Sequence, residues 1–444
     1  SDYKRYRNLK HNLSLARTTK IKTDEDTVDA IADLAKNYSS IYEETSALLD
    51  DLLKGTQSSY NPFRFDLKKD LDVGGESGEN FIHFFELPEK LFYVWKKGSN
   101  FGGSSIDILT KNLESITMLS DFTSNAGRGF SVTTTDPINQ GTPNLSMAAE
   151  QLFPDDILEL TNSQTPLVIS PSKSLASFPF SAATFDGTYL IEKITVSYAP
   201  SYRLYKEFSS RHQKTKIDQV EDFLGIGLTE FGKFNAQNGL QFPTLNQTVA
   251  EVLEASAQFP KNMSKVLIEE NATEEQIRSL SAQGFLDRYR YLLFSTHGLF
   301  IPGNASKTYL ALNPSKETNE SFDGMLTAGE ISTLSLSSDL VFLSACETGL
   351  SEETKSEGLL GLPYAFFLAG AKQVIATLWK VDDDASKLFV TAFFRQLAAV
   401  PKTKLASALQ KTQIRFLRGD YPGFQHPRFW AGYVIYGGHL RSTY

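Results

Sequence analysis

From about residue 220 onward, short unbroken apolar runs alternate with helical patterns, and this alternation limits the architectures open to the chain. The runs Phe223–Leu228, Val266–Glu269, Tyr291–Thr296, Leu340–Ala345 and Val374–Leu378 read as strands. Between them, Leu245–Phe259, Glu274–Gln283, Gly358–Ala369 and Ala385–Ala399 carry helical spacing. A strand that is apolar at every position must be covered on both faces. Helices inserted between such strands supply the cover, so the pattern predicts a mostly parallel sheet flanked by helices. Reactive groups in such sheets lie beyond the carboxyl ends of the strands.

The earlier part of the chain reads differently. Val28, Ile31, Ala35, Tyr38, Tyr42, Thr45, Leu49 and Leu52 alternate steps of three and four, which is a heptad seam. Thr23 and Asp26 resemble a capping box at its start. A shorter stripe, Tyr6, Leu9, Leu13 and Ala16, precedes it, so residues 1–60 are expected to form a helical hairpin or connector. Because Ser1 opens inside this helical pattern, the chain reads as a piece of something longer. Asn80–Leu87 and Leu91–Trp95 look like paired strands, Ile106–Phe122 has helical spacing, and Gly127–Pro143 has loop composition. Pro166–Ser170 and Ile194–Tyr198 read as further strands.

Composition narrows the functional classes. With 444 residues, 41% hydrophobic and 22% charged, the chain is an ordinary globular one. A net charge of −8 argues against direct nucleic-acid binding. No apolar run reaches the length of a membrane helix, and no signal-peptide h-region is present. One cysteine precludes an intrachain disulfide framework and fits a reducing, cytoplasmic compartment. Six scattered histidines and one thiol give no metal-site spacing, and no cofactor is expected.

That one thiol, Cys346, directly follows the apolar run Leu340–Ala345, and His297 directly follows the run ending at Thr296. Both residues should therefore emerge on one sheet edge. Their separation is close to the roughly 50 residues of the caspase His-to-Cys interval. A thiol becomes a nucleophile as its thiolate, so it needs a neighbouring base, and His297 is the candidate. Gly298 has no side chain, so its N–H can approach a substrate carbonyl; with the amide of Cys346 it is the candidate oxyanion donor. Separately, a free Cys at a strand end is also read as a small buried hydrophobe and such a His as a structural group.

Several stretches resemble the CHAT domain, a caspase-like peptidase module often found behind tetratricopeptide repeats. They include PLVISPSKSLASFPF at 166–180, YLIEKITVSYAPS at 189–201, LLFSTHG at 292–298 and LTAGEISTL at 326–334. VFLSACETG at 341–349, GLLGLPYAFFLAGAKQVIATLW at 358–379, Val381-Asp382-Asp383 and HPRFW at 426–430 continue the match. FIHFFELPEKLFYVW and the loop Asn125–Asn144 depart from it. The resemblance implies a caspase-like sheet with His297 and Cys346 as the dyad. It also implies a degenerate, non-catalytic half over about 80–210, a catalytic half over 211–444, and helices left after removal of upstream repeats.

In caspase-like folds the side chain two before the cysteine and residues after the next strand line the first specificity pocket. By position these are Ser344 and the stretch containing Trp379, Asp382 and Asp383. The acidic run could select a basic side chain by charge, or it could cap the helix that begins there. Ser351–Gly358 is polar and reads as a loop beside the cysteine, suited to activation by ordering or nicking.

The sequence thus points to a cysteine endopeptidase that cuts a protein or peptide partner under the control of an upstream repeat region or activator. The resemblance adds a role in bacterial defence. A catalytically silent scaffold is the alternative, and acyl transfer on a small molecule by the same pair is a third.

Overall fold

The computed structural model describes residues 79–87, 90–98, 100–106, 149–161, 165–172, 175–200, 202, 205–206, 221–299, 308–315, 322–345, 355–400 and 403–437. The chain divides into two units, Ser1–Glu76 and Ser77–Tyr444, and every described residue belongs to the second. The expected heptad hairpin, the helix expected after Ile106 and the loop at 127–143 lie outside the described residues.

One sheet of eleven strands organises the second unit. Its first half holds β1 (Asn80–Leu87), β2 (Lys90–Lys97), β3 (Asn100–Ile106), β4 (Leu167–Ser170) and β5 (Val196–Tyr198). The second half holds β6 (Glu221–Gly227), β7 (Ser264–Ile268) and β8 (Tyr289–Thr296). A small separate sheet follows, made of β9 (Gly298–Leu299), β10 (Tyr309–Ala311) and β11 (Met325–Thr327). The main sheet then resumes with β12 (Leu340–Ala345), β13 (Val374–Thr377) and β14 (Tyr433–Tyr436). Across it the order is β3-β2-β1-β4-β5-β14-β13-β12-β8-β6-β7.

The pairing divides the main sheet into two directional blocks. β13, β12, β8, β6 and β7 run parallel to one another. β14 pairs antiparallel with β13 and parallel with β5, which continues parallel through β4 to β1. The carboxyl ends of the two blocks therefore leave opposite edges of one continuous sheet. β2 and β3 extend the first block as an antiparallel meander.

The mostly parallel sheet expected from the apolar runs is present. The middle strands β12 and β13 are buried along almost their whole length, as a sheet covered on both faces requires. One face carries α3 (Thr248–Ser256) and α6 (Asp383–Ala399). Phe342 of β12 packs there on Phe393 and Phe394, at ring distances of 5.3 and 5.8 Å. The other face carries α5 (Lys355–Ala369), where Phe366 meets Phe294 of β8 at 5.4 Å. Neighbouring residues of a strand point to opposite faces, so Phe294 faces α5 while Ser295 faces α3 and α6. Remaining helices include α1 (Asp155–Thr161), α2 (Gly232–Asn238), α4 (Glu274–Ala282) and α7 (Leu405–Leu417).

Close approach of α3 to the sheet depends on glycine. A Cβ on Gly225 of β6 would lie 2.5 Å from Val252 Cγ1. The bare backbone there lets the first turns of α3 press onto the strands that end at the candidate site.

Candidate active site

β8 and β12 run side by side in parallel register, with Ser295 opposite Ser344 and Thr296 opposite Ala345. The next residues in the chain are His297 and Cys346. Cys346 itself, with Glu347 and the loop through residue 354, lies outside the described residues. Register alone brings together the two chain positions that precede the predicted dyad.

His297 is 1% exposed. Its Nε2 sits 2.8 Å from the carbonyl oxygen of Pro243. A carbonyl can only accept, so Nε2 carries the proton and the neutral ring keeps its lone pair on Nδ1. The ring stacks on Phe242 at 4.7 Å with an interplanar angle of 17°, and meets Phe231 at 4.6 Å. These partners belong to the segment between β6 and α3, which is clamped in turn. Asn235 donates its side-chain N–H to Phe242 O and accepts from Phe242 N, both at 2.9 Å. The backbone of His297 is fixed from the small sheet, where Ala311 N donates to His297 O at 2.8 Å.

Gly298 begins β9 and pairs with Leu310. A Cβ built on it would lie 3.5 Å from Ala345 Cβ and 3.6 Å from Ala345 O. The expected oxyanion residue thus adjoins the last described residue of β12.

Beneath this edge is a buried polar group that sequence reasoning passed over. Ser344 Oγ lies 2.9 Å from Ser386 Oγ of α6. Ser386 also donates to Glu251 Oε2 at 3.0 Å and receives the Tyr433 hydroxyl at 3.1 Å. Glu251, in the first turn of α3, is 2% exposed. Burial pushes its carboxyl up to about 7, working against the hydroxyls of Ser344, Ser295 and Ser386, with nearby Asp383 adding to the rise. Glu251 Oε1 and Ser295 Oγ are both fully enclosed, and the Ser295 hydroxyl faces the Glu251 carboxyl. A signal for this group was available: Glu251 interrupts the buried stripe Thr248, Val252 and Ala255 of an otherwise amphipathic helix.

The predicted specificity residues are placed as follows. Ser344 joins the buried group. Asp382 caps α6, its Oδ1 accepting from the N–H of Asp384 and Ala385 at 3.1 Å each. Asp383 Oδ2 accepts from Gln247 N at 3.0 Å, and Asp384 Oδ1 from Gln247 Nε2 at 2.8 Å. These bonds tie the start of α6 to the start of α3. Trp379 is 2% exposed, and its Nε1 donates to Arg428 O at 2.9 Å. The indole lies on the backbone of Gly432, where a Cβ would come within 2.8 Å of Cε2.

Among the described residues, no group of three or more His, Cys, Asp or Glu is placed to hold a metal ion. None of their helices is long and apolar enough to cross a membrane.

A large mostly parallel sheet, flanked by helices and carrying a histidine at a strand end, defines a caspase-like α/β protein. The model of the CHAT domain matches residues 144–438, well over half of the chain. The chain belongs to the CHAT domain family. Tetratricopeptide repeat protein 28 is 36% identical over 117 residues in Mus musculus and 33% over 117 residues in Homo sapiens. Each alignment takes in 26% of this chain but only 5% and 4% of those proteins, so the chain spans a small part of their length. Among solved structures, a Saccharomyces cerevisiae separase–securin complex superposes with a TM-score of 0.53 at 12% identity. That match covers 99% of this chain and 37% of the other, and at this identity it shows the fold.

Proposed function

We propose that the chain is a cysteine endopeptidase in which Cys346 is the nucleophile and His297 the base. The observation that carries this reading is the pairing of Thr296 with Ala345, together with the fixed orientation of His297 by Pro243. In the proposed reaction the Cys346 thiol gives its proton to the imidazole, and the thiolate attacks the scissile carbonyl carbon. The amides of Gly298 and Cys346 are proposed to take the oxyanion. Collapse expels the amine, which leaves with the imidazolium proton. Water activated by the imidazole then hydrolyses the thioester and restores the thiol.

The substrate is proposed to be a protein or peptide. The catalytic role is assigned to 211–444 and a supporting, non-catalytic role to 80–210. Control by an upstream repeat region or an activator protein belongs to the same proposal, supported by the tetratricopeptide repeats in the names of the aligned relatives. So do the defence role and the cytoplasmic location.

Cys346→Ala and His297→Ala should each abolish cleavage of a cognate substrate while the fold persists. Cleavage retained by either variant removes the dyad from the mechanism and favours a scaffold.

A further inference from the structure

We infer that Asn235 and Asn238 of α2 are positioning residues that hold His297, one from the side of its ring and the other from the side of its backbone. The inference rests on the peptidase reading above and deepens it by naming what keeps the proposed base in place for proton transfer.

The ring side runs through Pro243. Its carbonyl takes the Nε2 proton of His297, but proline has no N–H to anchor itself, and Pro243 is exposed. The direction of that carbonyl is therefore set by its neighbours. On one side Leu245 N donates to Thr229 O at 3.1 Å. On the other, the Asn235 side chain donates to Phe242 O and accepts from Phe242 N, at 2.9 Å each. An amide that closes both backbone bonds of one residue does the work of a neighbouring strand. Of these two anchors only the second depends on a side chain, so mutation can remove it.

The backbone side runs through the small sheet. Ala311 N donates to His297 O, and the next residue, Leu312, donates through its N–H to Gly324 O, both at 2.8 Å. Asn238 Nδ2 holds the turn before that point, donating to the backbone carbonyl of Asp323 at 3.1 Å and to Phe234 O at 3.1 Å. Gly324 has a φ of +88°, and a Cβ on it would lie 2.5 Å from Leu312 O and 3.1 Å from Phe234 Cδ2, so this turn is pressed against α2.

Residues three apart on a helix are neighbours, so both amides leave α2 on one side. Phe234, the one buried residue of that helix, joins the same two arms. Its ring meets Phe242 at 5.6 Å and Tyr309 of β10 at 6.1 Å. Lys233, Ala236 and Gln237 are exposed. α2 is thus a surface helix held inward by one ring and two amides, and the base sits where its two arms meet.

The test reads the thiol without a peptide. Because the chain has one cysteine, intact mass after chloroacetamide treatment reports Cys346 alone. Alkylation is followed from about pH 5 to about pH 10, across the ordinary thiol value of about 8.5. A thiol paired with an oriented imidazole titrates below that value, and the wild-type midpoint is expected there. Asn235→Ala should raise the midpoint by about one unit and slow alkylation near neutral pH about fivefold, since fewer thiols are ionised. Asn238→Ala should raise it by less, and Gln237→Ala, on the exposed side, should leave it unchanged. Urea unfolding of the same variants supplies the control, because a merely structural role lowers stability and leaves the alkylation midpoint where it was. That result for Asn235→Ala, or a wild-type midpoint at the ordinary thiol value, overturns the inference. Should Asn235→Ala not fold, the midpoint of Asn238→Ala decides it. A shifted midpoint in a chain whose wild type cuts no peptide defeats the peptidase reading and leaves the positioning role standing.

Discussion

His297 Nε2 lies 2.8 Å from Pro243 O, and the same ring stacks on Phe242, the neighbour of Pro243 in the chain. One short stretch thus sets both the tautomer and the tilt of the proposed base. Phe242→Ala leaves the Pro243 carbonyl in the chain but removes the stacked face. Loss of an aromatic pair worth about 0.5–1.5 kcal/mol should lower kcat for peptide cleavage by about 2–12-fold, with KM little changed. Steady-state kinetics check this; an unchanged kcat means that the ring is fixed without Phe242.

Gly298 is bounded by Ala345 and Leu310 at ordinary contact distances for a single added carbon, 3.5 and 3.6 Å. Gly298→Ala keeps the backbone N–H proposed for the oxyanion and should alter stability by no more than about 0.5 kcal/mol. Gly298→Val adds methyl groups toward Ala345 and should cost about 1–3 kcal/mol by overpacking. Urea unfolding of both variants reads this directly. Cleavage retained by the alanine variant and lost by the valine variant is the expected pattern.

The legible parts of this molecule are those whose burial is uniform. Tyr291–Thr296 and Leu340–Ala345 are covered on both faces, so their apolar runs announced parallel strands in the sequence, and the register then followed the fold. The candidate site came into view separately, from the resemblance of LLFSTHG and VFLSACETG to the family pattern. What escaped was set by tertiary contacts. The β3 strand contains Gly102 and Gly103 and no run of β-formers; it exists because β2 offers it a paired edge. The antiparallel strand β14 is only four residues long and inverts the direction of half the sheet, a fact that no local pattern carries. Glu251 was passed over because its partners, Ser386 and the two strand serines, come from remote parts of the chain.

The acidic run at the start of α6 has a structural account that mutation can isolate. Asp382 Oδ1 receives two backbone N–H groups that the helix leaves without internal partners. Asp382→Ala should therefore cost about 1 kcal/mol in unfolding free energy, and Asp382→Asn much less, since the amide oxygen still accepts. Chemical denaturation of the two variants separates capping from charge. Equal losses in both would assign the effect to the charge near the helix N-terminus.

Glu251 makes stability depend on pH in a definite direction. Its carboxyl is pushed up to about 7 in the folded chain from an ordinary value of 4.5, chiefly by burial. Between those values the folded state holds a proton that the unfolded chain releases. The contribution to stability is therefore complete below about 4.5 and is lost as pH rises through about 7. At 1.36 kcal/mol per unit, the loss approaches about 3 kcal/mol. Glu251→Gln cannot titrate, so its stability relative to the wild-type chain should rise by that amount between about pH 4.5 and pH 8. Asp383, the nearby carboxyl that contributes to the rise, is unchanged in both proteins and cancels to first order. Urea unfolding of the pair across this range measures the difference. A flat difference would mean that the native carboxyl is already ionised at low pH, held by Ser386, Ser344 and Ser295 strongly enough to offset its burial.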